Sequence, residues 1–100
     1  MELAELRTLY DRLATELAPS EYEVVWQGPA AERPKQAASL GIDGPERLAE
    51  LTVWDSGEAQ LQLGDLADGH VTEERLRLAD AGELAAAVDR MTAWVTGRDG

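Results

Sequence analysis

The 100-residue sequence predicts an α+β domain, with an antiparallel β-meander of four to five strands and the N- and C-terminal helices packed on one face. Near each end of the chain, apolar residues recur at spacings of three and four, which is typical of amphipathic helices. Between these ends, polar and apolar residues alternate in short runs, as they do in half-buried strands. Turn-forming residues separate the runs. We therefore expect residues 1–100 to form a single domain.

The first helix is predicted over residues 2–18. Its apolar positions share one face and are Leu3, Leu6, Tyr10, Leu13 and Leu17. Charged residues occupy most of the other side. Pro19 ends the helix, because proline has no backbone N–H for a continuing turn.

Five runs of the sequence predict the strands. They cover residues 21–27, 37–43, 47–54, 58–64 and 70–78. A loop with two prolines, 28–36, follows the first run, and the sequence DGPE at 43–46 forms a turn after the second. Asp68 and Gly69 are suited to a tight hairpin between the last two runs.

The second helix is predicted to begin after Asp80. The carboxylate of Asp80 can cap the free amides of the first turn, and Glu83, three residues later, completes a capping-box-like pair. The apolar stripe that follows consists of Leu84, Ala87, Val88, Met91 and either Trp94 or Val95. Gly97 ends the helix.

The bend at residues 55–57, Asp-Ser-Gly, admits two hairpin registers. A two-residue loop would place Leu51 and Val53 opposite glutamines. A three-residue loop with Gly57 in the left-handed conformation places apolar residues opposite apolar ones and polar residues opposite polar ones. Its pairs are Val53–Ala59, Leu51–Leu61, Ala49–Leu63, Thr52–Gln60 and Glu50–Gln62. We adopt the three-residue loop because it sorts every row.

The next hairpin extends this sorting if Asp68 and Gly69 are its two central residues. The predicted pairs are then Leu61–Leu76, Ala59–Leu78, Gln62–Arg75 and Gln60–Arg77. Only Glu74, opposite Leu63, interrupts the apolar face, and we expect it at the rim of the sheet.

The other face of the sheet is predicted to be polar and open to solvent, as antiparallel sheets permit. Trp54 belongs to this face. A large aromatic ring among charged and amide groups is typical of an interface, and the alternative is that Trp54 only covers its cross-strand neighbours. The predicted partner-binding residues are Glu50, Thr52, Trp54, Asp55, Glu58, Gln60, Gln62, Arg75 and Arg77.

The net charge of −11 argues against direct binding to nucleic acid or to an anionic membrane. Such a charge either attracts a basic protein partner or serves only to keep the chain in solution. No apolar run approaches the ~20 residues that cross a bilayer. The sequence contains no cysteine, and its N-terminus does not resemble a secretory signal. We therefore expect a cytoplasmic location.

No pattern in the sequence predicts catalysis, a cofactor or a metal site. His70 is the only histidine, which excludes a relay or metal site that needs two imidazoles. Asp65, Asp68 and either Glu73 or Glu74 lack the alternating oxygen ligands of an EF-hand loop, and no glycine loop is suited to phosphate. We expect that the protein is not an enzyme.

The stretch from 48 to 91 contains a strand ending in TVW, a turn of acid-Ser-Gly-Glu, an alternating strand, a D-x-x-x-G hairpin and a helix opened by an acidic cap. In these features the chain resembles the TriTu family of bacterial immunity proteins. The resemblance implies a small intracellular protein that binds and silences a cognate secreted toxin, with no catalytic residue or cofactor. The family motif maps onto Trp54, Asp55, Gly57 and Glu58, where it serves either toxin binding or hairpin geometry.

We expect the chain to act by stoichiometric binding through the exposed sheet face and the acidic hairpin tips. Its acidic charge suits a basic toxin such as a nuclease. We expect a monomer when the chain is free. The alternative is a small acidic secretion chaperone or adaptor that binds an effector protein, and such chaperones are usually dimers. A third possibility, an enzyme, would need a deep pocket lined by carboxylates.

Overall fold

The computed structural model describes residues 3–17, 21–28 and 36–97. Its elements are α1 (Leu3–Leu17), β1 (Glu23–Gln27), β2 (Ala37–Asp43), β3 (Arg47–Trp54), β4 (Glu58–Asp65), β5 (His70–Arg77) and α2 (Ala81–Thr96). The five strands form one antiparallel sheet in the order β1-β2-β3-β4-β5. The predicted α+β meander is therefore confirmed. Most of the predicted loop at 28–36 and Pro19 lie outside the described residues.

One side of the sheet carries the apolar core and both helices. Along β3, the buried residues Ala49, Leu51 and Val53 alternate with more exposed ones, because successive side chains of a strand point to opposite faces. The core consists of Leu6, Leu13, Ala38, Leu40, Ile42, Ala49, Leu51, Val53, Ala59, Leu61, Leu78, Leu84, Ala87, Val88, Met91 and Val95. Each large apolar side chain buried here contributes roughly 1.5–3 kcal/mol, and this burial holds the helices on one face.

Both predicted ends of α2 are confirmed. The Oδ1 atom of Asp80 accepts a hydrogen bond from the backbone N–H of Glu83 at 2.9 Å. The Glu83 carboxylate in turn accepts one from the backbone N–H of Ala79 at 2.6 Å. At the other end, Gly97 has a φ of 77°, and its N–H bonds to the carbonyls of Ala93 and Trp94. These bonds satisfy backbone groups that the helix itself leaves unpaired.

The predicted register of the hairpin between β3 and β4 is confirmed. Its pairs include Val53–Ala59, Thr52–Gln60, Leu51–Leu61, Glu50–Gln62 and Ala49–Leu63. Gly57 has a φ of 94°, a backbone conformation that residues other than glycine rarely adopt. Its N–H donates to the carbonyl of Trp54 at 2.9 Å, which closes the three-residue loop.

The predicted register between β4 and β5 is wrong by two residues. Leu61 lies opposite Glu74 and not opposite Leu76, and Arg75 lies opposite Gln60 and not opposite Gln62. The shift moves partners along the strand and leaves each side chain on its predicted face, because side chains alternate with a period of two.

Local hydrogen bonds at residues 65–70 explain this difference. Asp65 accepts from the N–H of Gly69 through its carbonyl and from the N–H of Ala67 through its carboxylate, both at 2.9 Å. The Asp68 carboxylate accepts from the N–H of His70 at 2.8 Å. Side-chain bonds of this kind stabilise turns, and here they favour a four-residue connection over the predicted two-residue one.

Candidate functional site

The candidate site is the side of the sheet opposite the core, which we call the open face. No helix within the described part of the chain packs on it. The residues directed to this face are Glu23, Val25, Gln27, Ala37, Ser39, Gly41, Asp43, Leu48, Glu50, Thr52, Trp54, Glu58, Gln60, Gln62, Gly64, Val71, Glu73, Arg75 and Arg77. The face exists because every strand alternates, with its apolar positions directed to the helices.

All of the predicted partner-binding residues except Asp55 lie on the open face. Glu50, Thr52 and Trp54 come from β3, followed by Glu58, Gln60 and Gln62 from β4 and by Arg75 and Arg77 from β5. Asp55 instead lies in the turn. Its backbone N–H donates to the carbonyl of Gln36 at 2.9 Å, and its Oδ2 accepts from the N–H of Gln36 at 3.3 Å. Asp55 therefore ties the turn to the segment before β2.

The centre of the open face carries polar side chains that pair across neighbouring strands. The hydroxyls of Ser39 and Thr52 lie 3.1 Å apart across β2 and β3. Gln62 Nε2 donates to a carboxylate oxygen of Glu73 at 3.4 Å. These contacts link neighbouring strands, and they keep donors and acceptors at a surface that water reaches.

Trp54 stands at one end of this surface. It is half-buried at the end of β3 and pairs with Ala37 of β2. Beside it is a recess of about 570 Å³ lined by Trp54, Glu58, Ala59, Gln60, Arg75 and Leu76. The prediction that Trp54 points away from the core is therefore confirmed, and its indole borders a concave part of the open face.

The opposite end of the open face carries apolar residues that sequence reasoning missed. Leu48 covers Gly64, since a methyl group at Gly64 would lie 3.1 Å from Leu48 Cδ1. Val71 pairs with Gly64 and is 60% exposed. We call these residues the Leu48 corner. Leu48 lies two residues from Glu50 on β3, so the two share the open face. Val71 lies five residues from Leu76 on β5, so it lies on the face opposite to that of Leu76. The alternation pattern therefore indicated both positions in the sequence.

The open face also extends over β1 and β2, which the predicted site did not include. Ser39 and Gly41 have small side chains or none, and they form a shallow trough of about 100 Å³ with the strands on either side. Glu23 and Asp43 lie at one end of it. The alternation of these polar residues with buried Leu40 indicated this half of the face in the sequence.

The open face carries more acidic than basic residues. The acidic ones are Glu23, Asp43, Glu50, Glu58 and Glu73, and the basic ones are Arg75 and Arg77. Glu58 lies 4.0 Å from Arg77, and both side chains are at least half exposed, so this pair contributes little to stability. Among the described residues, no group of carboxylates and histidine is arranged to hold a metal ion.

No helix among the described residues is long and apolar enough to span a bilayer.

A family model with the description "Immunity protein TriTu" matches residues 4–94. The match covers nearly the whole chain, including the helices and every strand of the open face. It confirms the resemblance seen in the stretch 48–91 and extends it to residues 4–94. No curated protein shows a significant sequence match.

Proposed function

We propose that this chain, which belongs to the TriTu family of immunity proteins, binds one cognate toxin through its open face and thereby blocks the toxin. The binding is stoichiometric and involves no catalysis, and it takes place in the cytoplasm of the producing cell. The observation that carries the proposal is the open face itself. It is a sheet surface of five strands, with an aromatic residue at one end and polar groups at its centre.

The size of the open face suits a protein partner. A strand of eight residues such as β3 is about 26 Å long, and five strands span about 19 Å. The protruding side chains increase the accessible area of this surface, which brings it close to the ~800 Å² per partner of a standard interface. Apart from the recess beside Trp54, the surface is shallow, and the trough over β2 measures only about 100 Å³, so most of the face is better suited to a protein than to a small molecule.

The charge of the chain supports a basic toxin. The net charge of −11 attracts a positively charged protein and speeds their encounter. A nuclease is one such toxin, because a cleft that binds nucleic acid must be positive. The carboxylates of Glu50, Glu73 and Asp43 on the open face would then meet basic residues of the toxin.

The test first identifies the cognate toxin by sequencing the genes beside that of this chain and then measures how tightly its toxin domain binds each variant. Trp54→Ala and Glu50→Lys should each lower the affinity by about tenfold or more, because the first removes the large aromatic ring of the open face and the second reverses a charge on β3. Asp89→Lys is the matched control, since it makes the same charge change on an exposed position of α2. Affinities equal to that of the control, in variants with unchanged thermal melts, would remove the open face from the proposal.

Stoichiometry separates inhibition from catalysis. Toxin activity should fall in proportion to the added chain and reach its minimum at equal concentrations. Complete inactivation by a small fraction of an equivalent would instead show that the chain acts as an enzyme on the toxin. Isothermal titration calorimetry of the same pair gives the binding ratio directly.

A further inference from the structure

We propose that the recess beside Trp54 receives a carboxylate side chain of the toxin, and that Arg75 binds it. The inference rests on the proposed function, since it requires the toxin to cover the open face. It goes further because it assigns an acidic group to the toxin, whereas the net charge of this chain alone predicts a toxin surface that is basic throughout.

Arg75 differs from the other arginines that the structure describes. Each of the others contacts an acceptor: Arg7 pairs with Asp11, Arg12 with Glu16, Arg77 with Glu58 and Arg90 with Glu74, and Arg47 donates to the carbonyl of Trp94. Within the described part of the chain, the side chain of Arg75 forms no ion pair and no hydrogen bond. The chain has 20 acidic and 9 basic residues, so Arg75 lacks a carboxylate where carboxylates are abundant.

The neighbours of Arg75 explain why its guanidinium has no carboxylate partner within the described part of the chain. Across the ladder it lies opposite Gln60, whose side chain is neutral. Two residues away along β5, Glu73 accepts a hydrogen bond from β4. Two residues away in the other direction, Arg77 pairs with Glu58. The carboxylates nearest in register are therefore engaged by other groups.

The recess offers what a carboxylate needs. Arg75, Gln60 and Trp54 all line it. A guanidinium presents its N–H groups as a fork that matches the two oxygens of a carboxylate. The amide of Gln60 can donate a further hydrogen bond. The indole of Trp54 supplies an apolar wall against the methylene groups of an Asp or Glu side chain.

Burial by a toxin makes an acceptor for Arg75 necessary, and a carboxylate is the acceptor that a guanidinium binds most strongly. A guanidinium that loses its water without gaining an acceptor is costly, and a basic residue placed against Arg75 would add repulsion. A toxin surface that is basic opposite Glu50 and Glu73 and acidic at the recess avoids both costs. The two signs also fix how the toxin is oriented on the sheet.

The test compares Arg75→Glu with Arg12→Glu for binding to the cognate toxin domain, once that domain has been identified among the neighbouring genes. Both changes make the net charge more negative by two, and Arg12 lies on the exposed side of α1. If the recess holds a carboxylate, Arg75→Glu lowers the affinity at least tenfold relative to Arg12→Glu. If the toxin is basic there, Arg75→Glu binds as tightly as Arg12→Glu or more tightly, and the inference is overturned.

Further variants complete the design. Arg75→Lys keeps the charge and loses the fork, so it should lose less affinity than Arg75→Glu. Replacing toxin Asp and Glu residues one at a time by Lys should identify one that restores binding to the Arg75→Glu chain. Failure of the wild-type chain to bind the toxin would refute the proposed function. Loss of binding in Trp54→Ala without loss in Arg75→Glu would refute only the acidic group.

Discussion

Arg90 of α2 holds Glu74 of β5 through two contacts, with Nη2 2.8 Å from Oε2 and Nη1 3.3 Å from Oε1. Glu74 lies on the helix-facing side of β5, opposite Leu61. Its carboxylate would otherwise face the apolar layer at the edge of the sheet. The pair gives it a partner there and ties the outermost strand to α2.

The stability that this pair contributes should depend on pH. The hydrogen bond from Arg90, and then its charge, lower the pKa of the Glu74 carboxyl below its ordinary value. A carboxyl whose pKa is lower in the folded state stabilises the fold above its unfolded pKa, and the contribution disappears as the pH falls through the lower folded pKa. We expect Glu74→Gln to lower the melting temperature at pH 7 and to match the wild type in strong acid.

Circular dichroism melts over a series of pH values check this prediction. Arg90→Gln should show the same pH dependence, because it removes the other half of the pair. Since both side chains are about half exposed, added salt should reduce the difference at pH 7. A difference between Glu74→Gln and wild type that persists in strong acid would show that Glu74 stabilises the fold by packing.

Gly57 should be the less replaceable of two hairpin glycines. It has a φ of 94°, and a Cβ there would lie 2.9 Å from the carbonyl oxygen of Leu78. That contact cannot relax easily, because the N–H of Leu78 donates to the Gly57 carbonyl at 2.7 Å. We expect Gly57→Ala to cost about 2–3 kcal/mol of unfolding free energy, measured by urea denaturation.

Gly69→Ala is the matched control. Gly69 also has a positive φ, of 73°, and no atom lies within 4 Å of the position a Cβ would take. This variant should show only the backbone cost, about 1–2 kcal/mol. Equal losses in the two variants would mean that the approach of Leu78 to Gly57 contributes nothing.

Arg47 stabilises the end of α2 from outside the helix. Its guanidinium lies 4.2 Å from the ring centroid of Trp94, and its Nη1 donates to the carbonyl of Trp94 at 3.1 Å. The last turn of α2 has no basic residue of its own, so Arg47 supplies the positive charge that favours a helix C-terminus. Arg47→Met should cost about 1–2 kcal/mol in urea denaturation. Arg12→Met, which removes an exposed pair of α1, should cost less than about 0.5 kcal/mol, and equal costs would contradict this role.

The sequence predicted those parts of the fold in which one pattern acts alone. The loop at 55–57 followed from sorting polar and apolar residues across β3 and β4, and Gly57 has the required conformation. The faces of the strands followed from the same alternation. This was sufficient to place Trp54 and Arg75 on the open face.

The pairing of β4 with β5 could not be predicted in this way. A shift of two residues keeps every side chain on the same face, so the alternation does not distinguish the two registers. The choice was made by hydrogen bonds of Asp65 and Asp68 in the turn and by the contact of Glu74 with Arg90. The turn hydrogen bonds join residues close in the sequence, but the contact between Glu74 and Arg90 joins residues that approach only in the folded chain.

In addition to Trp54, the Leu48 corner should contribute to toxin binding. Leu48 and Trp54 are at opposite ends of β3, about 20 Å apart, so a partner of standard size that covers the open face contacts both. Val71→Thr keeps the shape of the side chain and removes its apolar character, and it should lower the toxin affinity about threefold to tenfold, as measured by calorimetry. Thr72→Val makes the reverse change at the next residue, which lies on the other face of β5, and should leave the affinity unchanged. A change of affinity in Thr72→Val together with an unchanged affinity in Val71→Thr would place the toxin on the helix-facing side of β5.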